Sequence, residues 1–271
     1  AGYLAEGMRW GKRMGDAGLV DLMVGALTDP FERYHMGVTA ENVASRHDVS
    51  REAQDRVAER SHARAARAIA EGRFSEQIVP VVIPQRSGEV RFATDEHVRA
   101  ETSLASLAKL KPVFKKDGTV TAANASGLND GAAALVLMEG REAVRRGVPC
   151  LGRLVAYAHA GVDPAYMGMG PVPATRAALR RAGLTLADID VIEANEAFAA
   201  QACAVARELG FDEARLNPNG SGIALGHPIG ATGAILVVKA LYELRRTGGR
   251  FALVTMCIGG GQGIAAIFER A

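Results

Sequence analysis

The alternation of strand-like and helix-like stretches after Pro149 predicts an α/β fold, with a mostly parallel sheet covered by helices. Three observations carry that reading. Short apolar runs suited to strands alternate with amphipathic stretches long enough for helices. The clusters ALRRAG, AVRRG and ELRRTGGR each end an apolar-periodic stretch and run into glycine. Helix C-termini read this way, because cations meet the negative end of the dipole and glycine takes the left-handed cap. Finally, GLNDGAAALVLME echoes GGGQGIAAIFE, with Gly131 corresponding to Gly263. The echo predicts two related halves, of which these are the closing strands.

In chain order, residues 1–118 read as irregular and helical, an insertion or cap rather than a sheet domain. Ser50 is placed to cap a long helix, REAQDRVAERSHARAARAIAEG, closed by Gly72. EQIVPVVIP reads as a short edge strand, because its prolines cannot donate to a ladder. TDEHVRAETSLASLAKLKPVF mixes a polar loop with one short helix. From Thr119, TVTAANAS and AAALVLME are strand-like around a GLNDG turn, and GREAVRRG is a short helix. The regular alternation follows: LGRLVAYAHAG strand, PATRAALRRAG helix, DVIEAN strand, EAFAAQACAVARELG helix, RLNPN short strand, GATGAILVVKALYELRRTGG helix. FALVTMC and GIAAIFER close as strands around a triple glycine.

Bulk composition narrows the classes of function. The chain has 271 residues, 48% hydrophobic and 23% charged, enough for one large domain or two moderate ones. It holds no run of eighteen apolar residues, so no membrane span is expected. Its first residues, AGYLAEGMRWGKRMG, hold no apolar signal core. Three cysteines without a C-x-x-C pair argue for reduced thiols in a cytoplasmic protein without structural zinc. A net charge of +2, with basic residues at helix ends and 5% aromatics, argues against nucleic acid as a partner.

Three segments at strand ends or helix starts can carry chemistry, since open α/β sheets build their sites there. Asn195 follows the strand DVIEA; it is placed either to cap the next helix or to hold a water or carbonyl oxygen. His227 lies in the glycine-rich NPNGSGIALGHPIGATG, where bare backbone lets a ligand approach. That stretch matches neither a phosphate-binding P-loop nor a dinucleotide fingerprint. Cys257 ends an apolar run before the glycines, either as core filling or as a reactive thiol beside free backbone N–H groups. Cys203 and Cys150 read as core. His47, His62, His97 and His159 read as surface or packing, and His35 stays open. A Cys, a His and an Asn from three strand ends suit acyl chemistry. Cys257 would be the nucleophile of a cysteine hydrolase or the proton shuttle of an acyltransferase.

NEAFA at Asn195, NGSGIALGHPIGATG around His227 and CIGGGQG at Cys257 together resemble the thiolase family, in order and at compatible separations. YHMGVTAENVA, KLKPVF and GTVTAANASGLNDGAAAL extend the resemblance across the chain. It is nearest to the bacterial short-chain acetyl-CoA acetyltransferases and β-ketothiolases, and AYMGMGPVPA favours short acyl units. The resemblance implies duplicated βαβαβαββ halves, the first incomplete here, with an inserted, mainly helical loop domain. The implied division is a loop domain over 1–118, with a tetramerisation segment over 1–20, then the closing hairpin and helix of the N-terminal half over 119–149. The C-terminal half would run over 150–271.

The implied activity is condensation of acetyl-CoA with a short acyl-CoA, and the reverse thiolysis, in fatty acid metabolism. Coenzyme A and acyl-CoA would be substrates, with no permanently bound cofactor and no metal. Cys257 would move the α-proton, His227 would activate a nucleophilic cysteine and offer Nε2–H to an oxygen, and Asn195 would hold a water. The Gly259 N–H would bind the tetrahedral oxyanion. Ser126 would touch pantetheine, Arg99 and Ser106 the adenine and its phosphate, and His35 and Met167 the reacting end. The family's nucleophile lies in a Cys-[Gly/Ser]-Ser-Gly type sequence, and no such sequence occurs in these residues. The expectation is that it belongs ahead of residue 1 and that this chain is inactive alone. A non-catalytic chain that binds CoA or a partner is the alternative.

Overall fold

A computed structural model describes residues 2–271. Ala1, the first residue of the segment expected to join subunits, lies outside the described residues. The chain opens with a ribbon of β1 (Tyr3–Ala5) antiparallel to β2 (Leu19–Asp21). Asp21 then caps α1 (Leu22–Ala26) by accepting the Met23 N–H at 2.8 Å. Two longer helices follow, α2 (Met36–Arg46) and α3 (Arg51–Ala70). Ser50 caps α3 as its sequence predicts, accepting the Ala53 N–H at 3.1 Å. Gly72, at φ +68°, ends that stretch.

The edge strand expected in EQIVPVVIP forms later, as β3 (Val81–Gln85), and pairs only with β4 (Gly88–Phe92). The region read as irregular and helical therefore carries two small ribbons as well. They pair over three and five residues respectively, and no third strand joins either one among the described residues. The short helix expected in this region is α4 (Leu104–Leu107).

From 119 to 139 no strand forms, contrary to the pair of strands expected there. No described strand lies alongside to complete a ladder, and backbone N–H and C=O groups need one. Around the turn at 119 the buried Glu41 carboxylate takes over, accepting the N–H groups of Thr119 at 2.9 Å and Val120 at 2.8 Å. The helix α5 (Gly140–Arg146) forms as expected, with Gly147 at φ +63° as its left-handed cap.

The principal sheet contains β5 (Gly152–Gly161), β6 (Val191–Ala194), β7 (Phe251–Ile258) and β8 (Gln262–Arg270), in the order β5-β8-β7-β6. The mostly parallel sheet expected from the sequence holds for strand direction, since β5, β6 and β7 run the same way, but not for pairing. Only β6 and β7 pair in parallel; β8 runs against both neighbours. The reason is the tight glycine turn, which returns the chain as a hairpin without a crossover helix. RLNPN also forms no strand. Leu216 makes a single parallel bridge to Ile192, and then the Asn217 side chain replaces the ladder. Its Oδ1 accepts the Ala194 N–H at 2.9 Å and its Nδ2 donates to the Ala194 carbonyl at 2.8 Å.

Period-two alternation divides the core. Leu253, Ala265 and Ile267 face α6 (Pro171–Ala182) and α7 (Ala199–Leu209), against which α2 also packs. Val191, Ala252 and Val254 face α9 (Thr232–Thr247) on the other side. Glu193 shares that second face and pairs with Lys239 of α9 at 2.7 Å, both side chains buried. The Lys239 ammonium also donates to the Gly220 carbonyl at 2.6 Å. The N-terminal helices are tied to this half by polar bonds, above all Ser61 of α3 donating to the buried Glu196 carboxylate at 2.6 Å.

Candidate active site

Parallel β6 and β7 end at the same edge of the sheet, and the candidate residues collect there. Asn195 directly follows β6, and its N–H still donates to the Thr255 carbonyl of β7 at 3.0 Å. Cys257 lies two residues further along β7. A four-residue helix, α8 (Gly222–Leu225), precedes Gly226 and His227, and α9 begins at Thr232. Gly226 has φ +92°, and a Cβ there would stand 2.4 Å from Asn129 Oδ1. Only glycine lets the loop turn this tightly beside that amide.

His227 is held on three sides. Its backbone N–H donates to the Gly127 carbonyl at 3.2 Å and to Asn129 Oδ1 at 3.3 Å. Its Nδ1 lies 2.6 Å from Thr232 Oγ1, and its Nε2 lies 3.3 Å from Asn195 Nδ2. Burial lowers its pKa, so the ring is neutral at neutral pH. The reading of Asn195 as a helix cap fails. The next helix begins at Ala199 behind Phe198 with no side-chain cap, and the Asn195 amide turns to the imidazole instead. Its Oδ1 is buried without a partner among the described residues. That is an acceptor awaiting a donor, since an unmade buried hydrogen bond costs about 1–3 kcal/mol.

Cys257 packs among Met36, Met167 and Ala197, with Leu27 and Phe198 around them. This apolar setting pushes its pKa up to about 11, so the free protein holds a thiol there rather than a thiolate. Neither ring nitrogen of His227 bonds to it. An activated cysteine nucleophile has the opposite setting, a depressed pKa beside an imidazole, which argues against the hydrolase reading. The turn after Cys257 places Gly260 and Gly261 at φ +81° and +85°. A Cβ on Gly261 would stand 2.3 Å from the Val162 carbonyl oxygen. Gly259 is exposed at the start of this turn, its missing Cβ facing Met36 Sδ at 3.9 Å.

The other sequence-derived residues scatter by distance from this centre. Met167 touches the Cys257 cluster directly. The Ser126 N–H donates to the Ala197 carbonyl at 3.0 Å, which sets it against the same segment. His35 caps α2 through Nδ1, accepting the Gly37 N–H at 3.0 Å, and stacks on Phe114 at 4.9 Å. It stands next to Met36. Arg99 is exposed, and its N–H donates to His62 Nδ1 at 3.2 Å. Ser106 is exposed and its hydroxyl closes the capping box of α4. Cys203 is held in α7, donating towards the Ala53 carbonyl at 3.6 Å, with its pKa pushed up by burial to about 11. Cys150 is exposed rather than core, because the strand β5 begins after it.

Sequence reasoning misses several members of the site. Thr232 stands in the glycine-rich motif without an evident role, and Met36, Asn129 and the Glu196–Ser61 bond have none either. The one signal for Thr232 is its place at a helix start, five residues after a candidate histidine. Among the described residues no group of His, Cys, Asp and Glu is placed to hold a metal ion, and no helix is long and apolar enough to cross a membrane.

A thiol, a neutral imidazole and an amide at the strand ends of an α/β sheet define a site for proton transfer and oxyanion stabilisation. Comparison with known proteins agrees. Residues 2–141 match the model of the thiolase N-terminal domain and residues 148–270 that of the thiolase C-terminal domain. The chain belongs to the thiolase family. It is 68% identical over 271 residues to a beta-ketothiolase of Cupriavidus necator, covering all of this chain and 69% of the relative. The fold is that of a Bacillus anthracis acetyl-CoA acetyltransferase, at TM-score 0.95 and 48% identity, covering 100% of this chain and 69% of that one. A human mitochondrial 3-ketoacyl-CoA thiolase in complex with CoA matches at TM-score 0.89 and 42% identity, over 99% and 67% of the two chains.

Proposed function

We propose that this chain supplies the proton-transfer half of a CoA-dependent acyltransferase. The reaction is the joining of acetyl-CoA to a short acyl-CoA and the thiolysis of the resulting 3-ketoacyl-CoA. The observation that carries this reading is the His227–Asn195 contact of 3.3 Å at the sheet edge where β7 carries Cys257 next to its last residue. His227 takes the proton of a nucleophilic cysteine. Asn195, with its open Oδ1, holds a water whose hydrogen faces the thioester oxygen. Cys257 rests as a thiol and so is ready to protonate the carbanion leaving in thiolysis. In condensation the thiol first gives its proton to the departing CoA thiolate, and the thiolate so formed removes the α-proton. The Gly259 N–H receives the oxyanion of the tetrahedral intermediate.

Met167 and His35 border the reacting end, Ser126 lies along the pantetheine, and Arg99 and Ser106 stand near the adenine and its phosphate. The exposed Trp10 and Met14, at 89% and 91% accessible, support a tetramer contact through the ribbon of β1 and β2. Since these 271 residues hold no thiolase nucleophile sequence, the chain alone binds acyl-CoA without turnover. The exposed Val136 and Leu137 favour one second reading, a chain that binds CoA or a partner and does no chemistry.

The test is a chimera in which the part of the Cupriavidus relative that this chain does not match precedes residue 1. Loss of acetoacetyl-CoA absorbance on adding CoA should appear in the chimera and not in the chain alone. Cys257→Ala and His227→Ala should each reduce the chimera's rate by about 10²–10⁴-fold. A chimera that folds and binds CoA but stays inert, or one that ignores Cys257→Ala, would overturn the reading in favour of the second.

A further inference from the structure

We infer that Thr232 is a positioning residue that holds neutral His227 with its hydrogen on Nδ1, leaving Nε2 as the proton acceptor of the site. Counting hydrogens leads to this tautomer. Thr232 is 3% exposed, and its hydroxyl lies 3.0 Å from the Pro228 carbonyl and 2.6 Å from His227 Nδ1. A carbonyl only accepts, and Pro228 lies four residues back, so the hydroxyl hydrogen bonds it as threonine side chains bond the i−4 carbonyl. The hydroxyl lone pair then faces Nδ1, and Nδ1 must be the donor. A neutral imidazole with hydrogen on Nδ1 has a lone pair on Nε2. At that nitrogen the structure places Asn195 Nδ2, a donor, 3.3 Å away. Both ends of the ring therefore give the same tautomer. The reverse one would set Nε2–H against an amide N–H.

The chemical consequence follows by proton balance. A thiol that meets Nε2 breaks its S–H bond, the proton moves to Nε2, and a thiolate remains. The imidazolium so formed keeps Nδ1–H on Thr232 and gains an Nε2–H that can donate to an oxygen. This use of Nε2 rests on the proposed function, whereas the tautomer itself does not.

The experiment separates the two. In histidine-labelled protein near neutral pH, two-bond proton–nitrogen correlations distinguish a protonated Nδ1 from a protonated Nε2, and His227→Gln assigns the signal. The expected result is a protonated Nδ1 in the unmodified chain and in Thr232→Ser. Thr232→Val removes the hydroxyl without stranding Pro228, whose carbonyl still accepts the N–H groups of Ala231 at 2.8 Å and Thr232 at 2.9 Å. In that variant the signal should move towards protonated Nε2. A protonated Nε2 in the unmodified chain overturns the inference even if Thr232→Val does not fold, as does a Val variant with an unchanged tautomer. In the chimera, Thr232→Val should lower kcat by about tenfold to a hundredfold with KM little changed, and serine should restore it. A correct tautomer in an inert chimera would defeat the functional reading alone.

Discussion

Two stretches of this protein share a sequence pattern and differ in structure. GGGQGIAAIFE becomes a glycine turn and β8, a strand held between β5 and β7 with Ala265 and Ile267 fully buried. GLNDGAAALVLME has the same run of glycine, small and aliphatic residues, yet it forms no strand and leaves Val136 91% exposed. The difference lies in the neighbours. A strand is a partnership of backbone groups, and β-propensity measures how well a residue fits a paired, half-buried surface. The same pattern without a neighbouring strand stays irregular and apolar.

The largest expected effect tests that contrast directly. Ile267→Ala should cost about 2–5 kcal/mol of stability in urea unfolding, because it opens a cavity between β8 and its helices. Leu137→Ala, at a 76% exposed position of the echo, should stay within about 0.5 kcal/mol. Equal losses at both sites would mean the echo is packed after all.

The cysteines sharpen the comparison through reactivity. Cys257, pushed from 9.0 up to about 11, carries roughly a hundredfold less thiolate at neutral pH than an unperturbed thiol. Its alkylation should be slow near neutrality and rise about tenfold per pH unit until about pH 11, while the exposed Cys150 reacts first. Mass spectrometry of each cysteine against pH follows both. Fast labelling of Cys257 near neutrality would show that the thiol is activated in the free protein.

The finest contrast is between the paired glycines. A Cβ on Gly263 would stand 2.0 Å from the Gly170 backbone, whereas one on Gly131 would meet only the Pro228 ring, at 2.7 Å. Gly131→Ala should cost about 1 kcal/mol in thermal unfolding, near the low end of overpacking penalties. Gly263→Ala should cost more, since backbone cannot move aside as a ring can. The reverse order would break the correspondence drawn between the two turns.

Much of the site is legible in the amino-acid sequence. Asn195, His227 and Cys257 stand out because a strand or a glycine loop ends at each, and the sheet brings their segments to one edge. What chain order hides is partnership. Asn195 reads either as a helix cap or as a holder of a water or carbonyl oxygen, and chain order hides its partner 32 residues away. Thr232 offers only its place at a helix start after a histidine, and its role depends on the imidazole folding back over that start. Cys257 reads as a candidate thiolate because glycine N–H groups are visible in sequence, while the Met36 and Met167 side chains that keep it protonated arrive from elsewhere.

By itself the sequence determined the periodic elements, including the Ser50-capped helix, the glycine-capped helices that follow Pro149, and the family, because each is written in neighbouring residues. Tertiary structure alone decided three things: the place of β8 between β5 and β7, the absence of a strand over 119–139, and the protonation of Cys257 and His227. Each depends on which distant groups meet, because burial, ladder pairing and hydrogen-bond direction are properties of contacts rather than of residues.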